Sequence, residues 1–384
     1  MLVRSLSGVL AAAALALAAA PAQAAPEVFA HRGGPYIRGK PVFPENTLPA
    51  FGLAALQGDP LEFDIKLTAD RVPVVIHDAT LDRTTNCTGR VADKTLAQLR
   101  KCKADVLGVP ESGLPVRVVA DPSVGVPTLS QVTSLARRTS SRIVPEIKNY
   151  PADPDYDPTP AFAAAAVDGV ALSEIAVDRI IFQSFTTENL DVVKSRLPGA
   201  ETSLLALQSG NDAAIPLAVA RGYEWVSPQW PVDSGYVAAA HAGGRRVVPF
   251  TIDTTPAMAL AAAAGADALI TNDPTRARRT VAAGFPRMDA PVASAASSKM
   301  RVRGREAAVK VRCNSIRTQT CVGNLVLAVG HRVLGSAQYE LTGGRAGAVR
   351  VGVRSGAKGK GAATVSTYDE RGRPGRARTS ITLS

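Results

Sequence analysis

The segment Leu61-Glu62-Phe63-Asp64-Ile65-Lys66-Leu67 decides how the rest of the chain is interpreted. Apolar and charged residues alternate over its seven positions, which is the period of a β-strand. Because alternate side chains share a face, Glu62 and Asp64 point to one side, and Phe63 and Ile65 point to the other. The segment is therefore predicted to be a strand that packs its apolar face against a helix layer and places two carboxylates together on its opposite face.

Seven other short apolar runs are strand candidates, and helical stretches lie between most of them. In chain order the eight candidates are 28–30, 61–67, 143–147, 180–183, 203–207, 225–227, 247–252 and 268–270. The run 72–76 is expected to form one arm of a hairpin-like insertion, and Asn46 is expected to cap the helix 47–57. Alternating strands and helices predict a parallel sheet, and eight units over residues 26–286 are typical of a (β/α)₈ TIM barrel. A doubly wound open sheet is the alternative, because periodicity does not separate the two.

The chain beyond the predicted barrel (25–286) has a different character. Residues 287–299 are small and polar and are predicted to be a linker. Residues 300–384 alternate apolar and polar residues between Gly-rich turns, which predicts a small, sandwich-like all-β accessory domain.

Positive charge is concentrated in this tail. Residues 287–384 hold 18 of the 44 Lys and Arg but only 5 of the 33 Asp and Glu. The remaining, larger part of the chain is near neutral, which argues against a general nucleic-acid binder. The basic residues of the tail are expected either to form a solvated face or to contact an anionic cell-envelope polymer.

Residues 1–24 have the pattern of a secretory signal peptide. Arg4 precedes an apolar run that ends at Ala20, and Ala22-Gln23-Ala24 is a small-x-small cleavage site. The run is short for a membrane span, although a retained anchor is the alternative, and no later segment approaches that length. The mature chain is expected to begin near Ala25 and to act outside the cell or in the cell envelope, without stable membrane insertion.

Four Cys in an exported chain predict disulfides. Of the three possible connectivities, the local pairs Cys87–Cys102 and Cys313–Cys321 are favoured because each lies within one predicted domain.

A second acidic strand end accompanies the first. In Ile143-Val144-Pro145-Glu146-Ile147-Lys148, Glu146 and Lys148 share a face at the end of a predicted strand. In a barrel, the carboxyl ends of the strands build the active site, so Glu146 is expected to converge with Glu62 and Asp64 on one divalent cation. The alternative is a set of salt bridges at the barrel mouth, with Lys66 and Lys148 as partners.

Two of the four histidines follow predicted strands. His31 stands directly after the first strand, in Ala30-His31-Arg32-Gly33-Gly34, and His77 closes the additional apolar run. Histidine is suited to proton transfer near neutral pH, and the forked cation of Arg32 is suited to a phosphate. His241 and His331 are interpreted as surface residues.

These segments together resemble the glycerophosphodiester phosphodiesterase family. The motifs that carry the resemblance are His31-Arg32-Gly33, Pro44-Glu45-Asn46-Thr47, Glu62-x-Asp64, Leu67-Thr68-x-Asp70, His77-Asp78-x-x-Leu81-x-Arg83-Thr84-Thr85, Glu146-x-Lys148, Gln183-Ser184-Phe185 and Gly265-Ala266-Asp267-x-x-Ile270-Thr271-Asn272-Asp273-Pro274. Each motif alone is weak, but their order and spacing are specific and cover nearly the whole predicted barrel. One departure is visible, since Phe250 stands before Thr251 where the family usually has Trp, which affects the substrate pocket rather than the metal centre. The segment 87–121 is interpreted as an insertion that covers the mouth of the predicted barrel, as a lid or a specificity loop.

The resemblance implies a TIM barrel and a metal-dependent hydrolase. It implies that Glu62, Asp64 and Glu146 hold one divalent cation, Ca²⁺ or Mg²⁺. It further implies that His31 and His77 are the base and the acid. The residues expected to bind the phosphate or the rest of the substrate are Arg32, Lys148, Gln183 and Phe250.

The expected reaction cleaves a small glycerophosphodiester to glycerol 3-phosphate and an alcohol. A glycerol hydroxyl of the substrate attacks the phosphorus, and the cyclic phosphate that results is then opened by water. Two other functions are compatible with the sequence. A phospholipase-D-like enzyme on the same barrel would act on lipid head groups, and a non-catalytic envelope-binding protein would use the barrel as a scaffold only.

Overall fold

The computed structural model describes residues 25–38, 40–107, 116–117, 121–283, 293–303, 306–313, 320–329, 332–342, 344–353, 358–368 and 374–383. The predicted signal peptide, 1–24, lies outside these residues, as does part of the predicted lid, so both stay predictions.

Eight strands in the first described part of the chain form a parallel barrel. They are β1 (Glu27–Ala30), β2 (Leu61–Leu67), β3 (Ile143–Ile147), β4 (Ile181–Ser184), β5 (Glu201–Ala206), β6 (Trp225–Pro228), β7 (Arg246–Val247) and β8 (Ala268–Thr271). They pair in the order β7-β6-β5-β4-β3-β2-β1-β8. Backbone hydrogen bonds from Asp267 N to Val247 O (2.9 Å) and from Ile270 N to Pro249 O (3.1 Å) join the two end strands. The TIM barrel is therefore confirmed, and the open sheet is excluded.

A barrel helix of nine to eleven residues follows each of these strands along the chain, and the insertion after β2 contains a further short helix, Leu96–Leu99. The helices are α1 (Leu48–Leu56), α2 (Leu129–Arg138), α3 (Ala161–Ala171), α4 (Thr187–Arg196), α5 (Asn211–Arg221), α6 (Ser234–Ala242), α7 (Thr255–Ala264) and α8 (Pro274–Ala283). Phe63 and Ile65 of β2 pack with α1, α2 and α3 in the outer apolar layer, as the alternation in β2 predicts. A second apolar cluster, which includes Phe29, Val144 and Trp225, fills the inside of the barrel. The polar face of β2 therefore opens above a packed barrel interior.

Two local predictions were wrong. The residue before α1 is Thr47, and the Asn46 side chain bonds Asp64 instead of capping that helix. The predicted strand 247–252 has regular strand structure only in β7, because Pro249 has no N–H with which to continue the ladder. Val248 N and Phe250 N still donate to carbonyls of β6, so this segment keeps its place in the barrel wall.

The segment between β2 and β3 begins with a hairpin and contains a small core of its own. Pro73–Val75 pairs antiparallel with β2, as predicted for that arm. A disulfide joins Cys87 and Cys102, and Cys102 is buried in a cluster with Ile76 and Leu81. This anchored segment positions His77 at the barrel mouth.

The accessory domain consists of two packed sheets. Its strands are β9 (Ala293–Ala295), β10 (Lys299–Met300), β11 (Val302–Arg303), β12 (Glu306–Cys313), β13 (Thr320–Val329), β14 (Arg332–Thr342), β15 (Ala346–Gly352), β16 (Gly359–Tyr368) and β17 (Pro374–Leu383). One sheet has the order β9-β12-β11, with β15 also paired to β12, and the other has the order β10-β17-β16-β13-β14. Val309 and Val351 from the first sheet share a core with Leu325 and Val365 from the second, so the sandwich-like domain is confirmed. The predicted disulfide Cys313–Cys321 is also present.

The predicted linker needs a correction at its C-terminal end. Residues 293–295 and 299 lie in strands of the accessory sheets, and β9 pairs antiparallel with β12. The Ala-Ser-Ala sequence of β9 has no large apolar side chain, so the sequence does not signal a strand there, and pairing with β12 decides it. The accessory domain also contacts the barrel, because Gln338 Nε2 donates to the Trp230 carbonyl at 3.2 Å.

No helix among the described residues is both long and apolar enough to cross a membrane.

Candidate active site

Three carboxylates from β2 and β3 meet at the mouth of the barrel. Asp64 and Glu146 are paired across the two strands, and Glu62 stands two residues before Asp64 on the same face. One oxygen from each of the three lies within 4.8 Å of the others, and all three residues are buried. The predicted convergence of Glu62, Asp64 and Glu146 is therefore present.

Burial and neighbouring charges shift the pKa values of Glu62 and Asp64. Burial raises the pKa of Glu62 well above its usual range, and the charges of Asp64 and Glu146 add to that shift. Burial also opposes ionisation of Asp64, but neighbouring His77, Lys148 and Arg32 outweigh it and lower the pKa of Asp64. Without an added positive charge, these acids therefore compete for ionisation.

The donor set fits a hard divalent cation. The Asp64 Oδ1 atom is buried and accepts no hydrogen bond from any residue that the structure describes, and Lys148 Nζ lies 3.7 Å from it. Carboxylate oxygens without hydrogen-bond donors are ligands of the kind that Ca²⁺ and Mg²⁺ prefer. Lys66, the other cation of the salt-bridge alternative, is turned to Asp153 and Asp155 at 2.8 and 2.9 Å.

His31 lies in a tight turn directly after β1, and its ring is fixed by an amide. Gly33 allows this turn to approach α1, since a Cβ at that position would lie 2.9 Å from the Ala50 Cβ. Asn272 Nδ2 donates to Asp253 at 2.7 Å, which leaves Asn272 Oδ1 to accept from His31 Nδ1 at 2.8 Å. Burial, reinforced by the Arg32 charge, lowers the pKa of His31 to about 3. The ring is therefore neutral near pH 7, with its lone pair on Nε2.

The orientation of the His77 ring is also fixed by a hydrogen bond at Nδ1. Its Nδ1 lies 2.6 Å from Asp78 Oδ1, and its Nε2 lies 3.0 Å from Lys148 Nζ. Arg83 donates through Nε to Asp78 and through Nη1 to Glu45, which fixes the orientation of the Asp78 carboxylate. Both imidazoles therefore place Nδ1 on an acceptor, so proton transfer at either ring would use Nε2, which in His77 also contacts the Lys148 ammonium.

Two cations face the carboxylates. Arg32 donates through Nη1 to Glu45 at 3.0 Å, and its backbone N donates to Glu62 at 2.8 Å. Lys148 Nζ lies 3.0 Å from Glu146, and the charges of Glu146 and Asp64 raise the pKa of Lys148 although burial works against that shift. Both groups therefore remain positive and can attract a phosphate.

These groups open onto one cavity of about 510 Å³. Its wall contains eight of the nine predicted site residues: His31, Arg32, Glu62, His77, Glu146, Lys148, Gln183 and Phe250. The ninth, Asp64, is fully buried. Phe185 and Phe250 meet edge to face at 5.8 Å in this wall, which gives the cavity an apolar side opposite its charges.

Sequence reasoning assigned no role to several residues that hold the site together. Three of them lie within the motifs quoted above, and membership of a motif was the only indication of a role for these residues: Glu45, Arg83 and Asn272. Tyr150 and Asp253 follow the third and seventh strands, where barrel enzymes carry site residues, but nothing in the local sequence singles them out.

Comparison with known proteins agrees with this geometry. The model of the glycerophosphoryl diester phosphodiesterase family matches residues 31–276. The glycerophosphodiester phosphodiesterase of Bacillus altitudinis is 29% identical over 255 residues, which are 65% of this chain and 96% of that protein. The enzyme of the same name from Caldanaerobacter subterraneus subsp. tengcongensis is 32% identical over 254 residues, which are 64% of this chain and 94% of that protein.

Solved structures show the same architecture. A candidate glycerophosphoryl diester phosphodiesterase from Silicibacter pomeroyi DSS-3 superposes with a TM-score of 0.57 at 26% identity, covering 67% of this chain and 93% of that one. A phosphodiesterase from Oleispira antarctica shares the fold, with a TM-score of 0.55 at 22% identity over 67% of this chain and 97% of that one. The barrel, the assembled carboxylates and histidines and the family match lead to one conclusion: the chain belongs to the glycerophosphoryl diester phosphodiesterase family and is an enzyme of that class.

Proposed function

We propose that the protein is an exported, metal-dependent hydrolase that cleaves glycerophosphodiesters to glycerol 3-phosphate and an alcohol. The observation that carries this proposal is a cavity lined by two oriented imidazoles and by Glu62 and Glu146, two members of the group of three converging carboxylates. Export is supported by the two disulfides, which persist in oxidising compartments.

The residues divide the chemistry between them. Glu62, Asp64 and Glu146 would hold one Ca²⁺ or Mg²⁺, which when bound supplies positive charge against the charge that grows on the phosphoryl oxygens. Arg32 and Lys148 bind the phosphate, and Gln183 and Phe250 contact the rest of the substrate from the cavity wall.

Proton transfer is assigned to the two Nε2 atoms. His31 Nε2 accepts the proton of the glycerol hydroxyl as that oxygen bonds to phosphorus, and the leaving alcohol takes a proton from His77 Nε2. Water then opens the cyclic phosphate, giving its proton to His77, while His31 returns its proton to the glycerol oxygen. Because its pKa is lowered, the His31 ring is neutral near pH 7 and its Nε2 can accept a proton. The contact of His77 Nδ1 with Asp78 Oδ1 at 2.6 Å fixes the orientation of the other ring.

A substrate panel tests the proposal. We expect glycerol 3-phosphate to be released from glycerophosphocholine and glycerophosphoglycerol when Ca²⁺ or Mg²⁺ is present. Phosphatidylcholine vesicles are the comparison substrate, and preferential release of choline from them would support the phospholipase-D-like reaction instead. A protein that turns over none of these substrates would fit the non-catalytic alternative.

We also propose that the accessory domain binds an anionic cell-envelope polymer. The support is the outer face of the first accessory sheet, where Lys310 and Arg312 of β12 are exposed, and Arg350 of β15 is exposed beside them. An array of exposed cations on a flat sheet attracts polyanions through charge, and salt weakens such attraction.

The Lys310→Glu, Arg312→Glu double variant is expected to lose co-sedimentation with a glycerol-phosphate polymer at low salt, because it replaces two attractive charges by two repulsive ones. A matched control is Lys101→Glu with Arg138→Glu, which changes the net charge equally at exposed barrel positions. Equal loss in both double variants, or loss in neither, would contradict a binding face on this sheet.

A further inference from the structure

Each of the three converging carboxylates accepts a hydrogen bond from an uncharged side chain, which lies on another segment for Glu62 and Asp64 and directly after the same strand for Glu146. The pairs are Gln183 Nε2 with Glu62 Oε1 at 2.7 Å, Asn46 Nδ2 with Asp64 Oδ2 at 2.8 Å, and the Tyr150 hydroxyl with Glu146 Oε1. Gln183 lies on β4, Asn46 lies before α1, and Tyr150 follows β3. Three separate parts of the barrel mouth therefore reach the same group of acids.

The two amide side chains, Asn46 and Gln183, donate to the carboxylates but leave their own oxygens without donors among the described residues. Asn46 and Gln183 are 3% and 2% exposed, and within the described part of the chain neither Asn46 Oδ1 nor Gln183 Oε1 has a hydrogen-bond partner. An unpaired buried acceptor is unfavourable. The reverse orientation of each amide would place its oxygen against a carboxylate oxygen, so the contact with the acid decides the orientation. Asn46 also has a φ of 55°, in the left-handed region that Asn tolerates better than most residues.

Tyr150 supplies the third donor. Its hydroxyl donates a hydrogen bond to Glu146 Oε1 from the residues that follow β3. A phenol is an uncharged donor, so this contact orients the carboxylate without neutralising it.

Neutral donors differ from the cations in what they do to the carboxylates. Lys148 and Arg32 also lie near these acids, but their charges oppose the approach of another cation. An amide or a phenol fixes a carboxylate rotamer while leaving its negative charge available. Such outer hydrogen bonds orient ligands and tune metal affinity in protein sites generally.

We propose that Gln183, Asn46 and Tyr150 are positioning residues that pre-arrange the three carboxylates and thereby set the affinity for the divalent cation. The inference rests on the metal-dependent function proposed above. It gives Gln183 a second role beside its expected contact with substrate.

Calorimetric titration of Ca²⁺, and separately of Mg²⁺, into EDTA-treated full-length protein tests this inference. Tyr150→Phe removes one hydroxyl and Gln183→Met removes the amide at nearly constant shape. Each variant is expected to raise the Kd of the cation about 10- to 100-fold, the usual effect of losing such a partner. The melting temperature of each metal-free variant should stay close to that of the wild type, which separates a positioning role from a loss of stability.

Tyr223→Phe is the matched control. The Tyr223 hydroxyl also donates to a carboxylate, Asp191 at 2.7 Å, but on the outside of the barrel, so this variant should bind the cation as the wild type does. Wild-type Kd values in both Tyr150→Phe and Gln183→Met would overturn the inference and leave the metal-dependent function standing. A wild-type protein that binds neither cation would overturn both.

Discussion

Removal of divalent cations with EDTA is expected to lower the turnover of glycerophosphocholine by about 10³-fold, because cationic stabilisation of a phosphoryl transition state supplies several kcal/mol. Adding Ca²⁺ or Mg²⁺ back should restore the rate. The physical reason is the buried group of Glu62, Asp64 and Glu146, whose oxygens lie within 4.8 Å of one another and whose repulsion an added cation relieves.

The variant Asp64→Asn tests the predicted metal-binding group directly. The substitution keeps the shape of the side chain but removes the charge of a fully buried residue, so a similar loss of turnover is expected even at saturating cation. Asp168→Asn is a suitable control, since Asp168 forms a half-exposed ion pair with Arg196 on the outside of the barrel. Full activity of the wild type in excess EDTA would contradict any role of a metal ion.

His31→Ala and His77→Ala are each expected to reduce kcat by about 10²–10⁴-fold, the usual contribution of a positioned general acid or base. Each ring has its Nδ1 on an acceptor, Asn272 for His31 and Asp78 for His77, so each presents Nε2 for proton transfer. Steady-state kinetics on glycerophosphocholine at saturating Ca²⁺ measure both effects.

His241→Ala is the matched control for the histidine variants. His241 lies on α6 and pairs with Asp267 at 2.8 Å at an exposed position, away from the cavity, so its removal should leave kcat unchanged. Near-normal turnover in both His31→Ala and His77→Ala would show that the pair does not carry the proton transfers.

Much of the fold could be predicted because it depends on local patterns. The alternation in 61–67 predicts one strand, the side to which Glu62 and Asp64 point and the apolar face that packs under the helices, and the structure agrees on all three. Regular strand and helix alternation predicts a parallel sheet, since parallel neighbours need crossovers, and eight such units over residues 26–286 favour a barrel. Residues at or directly after the carboxyl ends of barrel strands gather at one mouth, which is why Glu146, near the end of β3, and His31, directly after β1, could be placed together from sequence.

The orientation of the site residues required the tertiary structure. Asn272 is 241 residues from His31, and Gln183 is 121 residues from Glu62, so no local pattern links either pair. Asn46 also shows that local sequence does not determine a side chain's partner. Its position before a helix suggests a helix cap, but its amide donates to Asp64. Strand β9 formed because β12 offered an edge to pair with, although the side chains of 293–295 give no signal.

The sequence by itself therefore determined the parallel sheet with its helices, the change of pattern beyond residue 286 and the candidate acids and imidazoles, because each follows from the period or position of residues along one segment. That the sheet closes into a barrel was decided by the tertiary structure. The tertiary structure decided which oxygen and which ring nitrogen faces the cavity. That choice depends on hydrogen bonds between segments far apart in the chain, and only the closed barrel brings those segments within bonding distance.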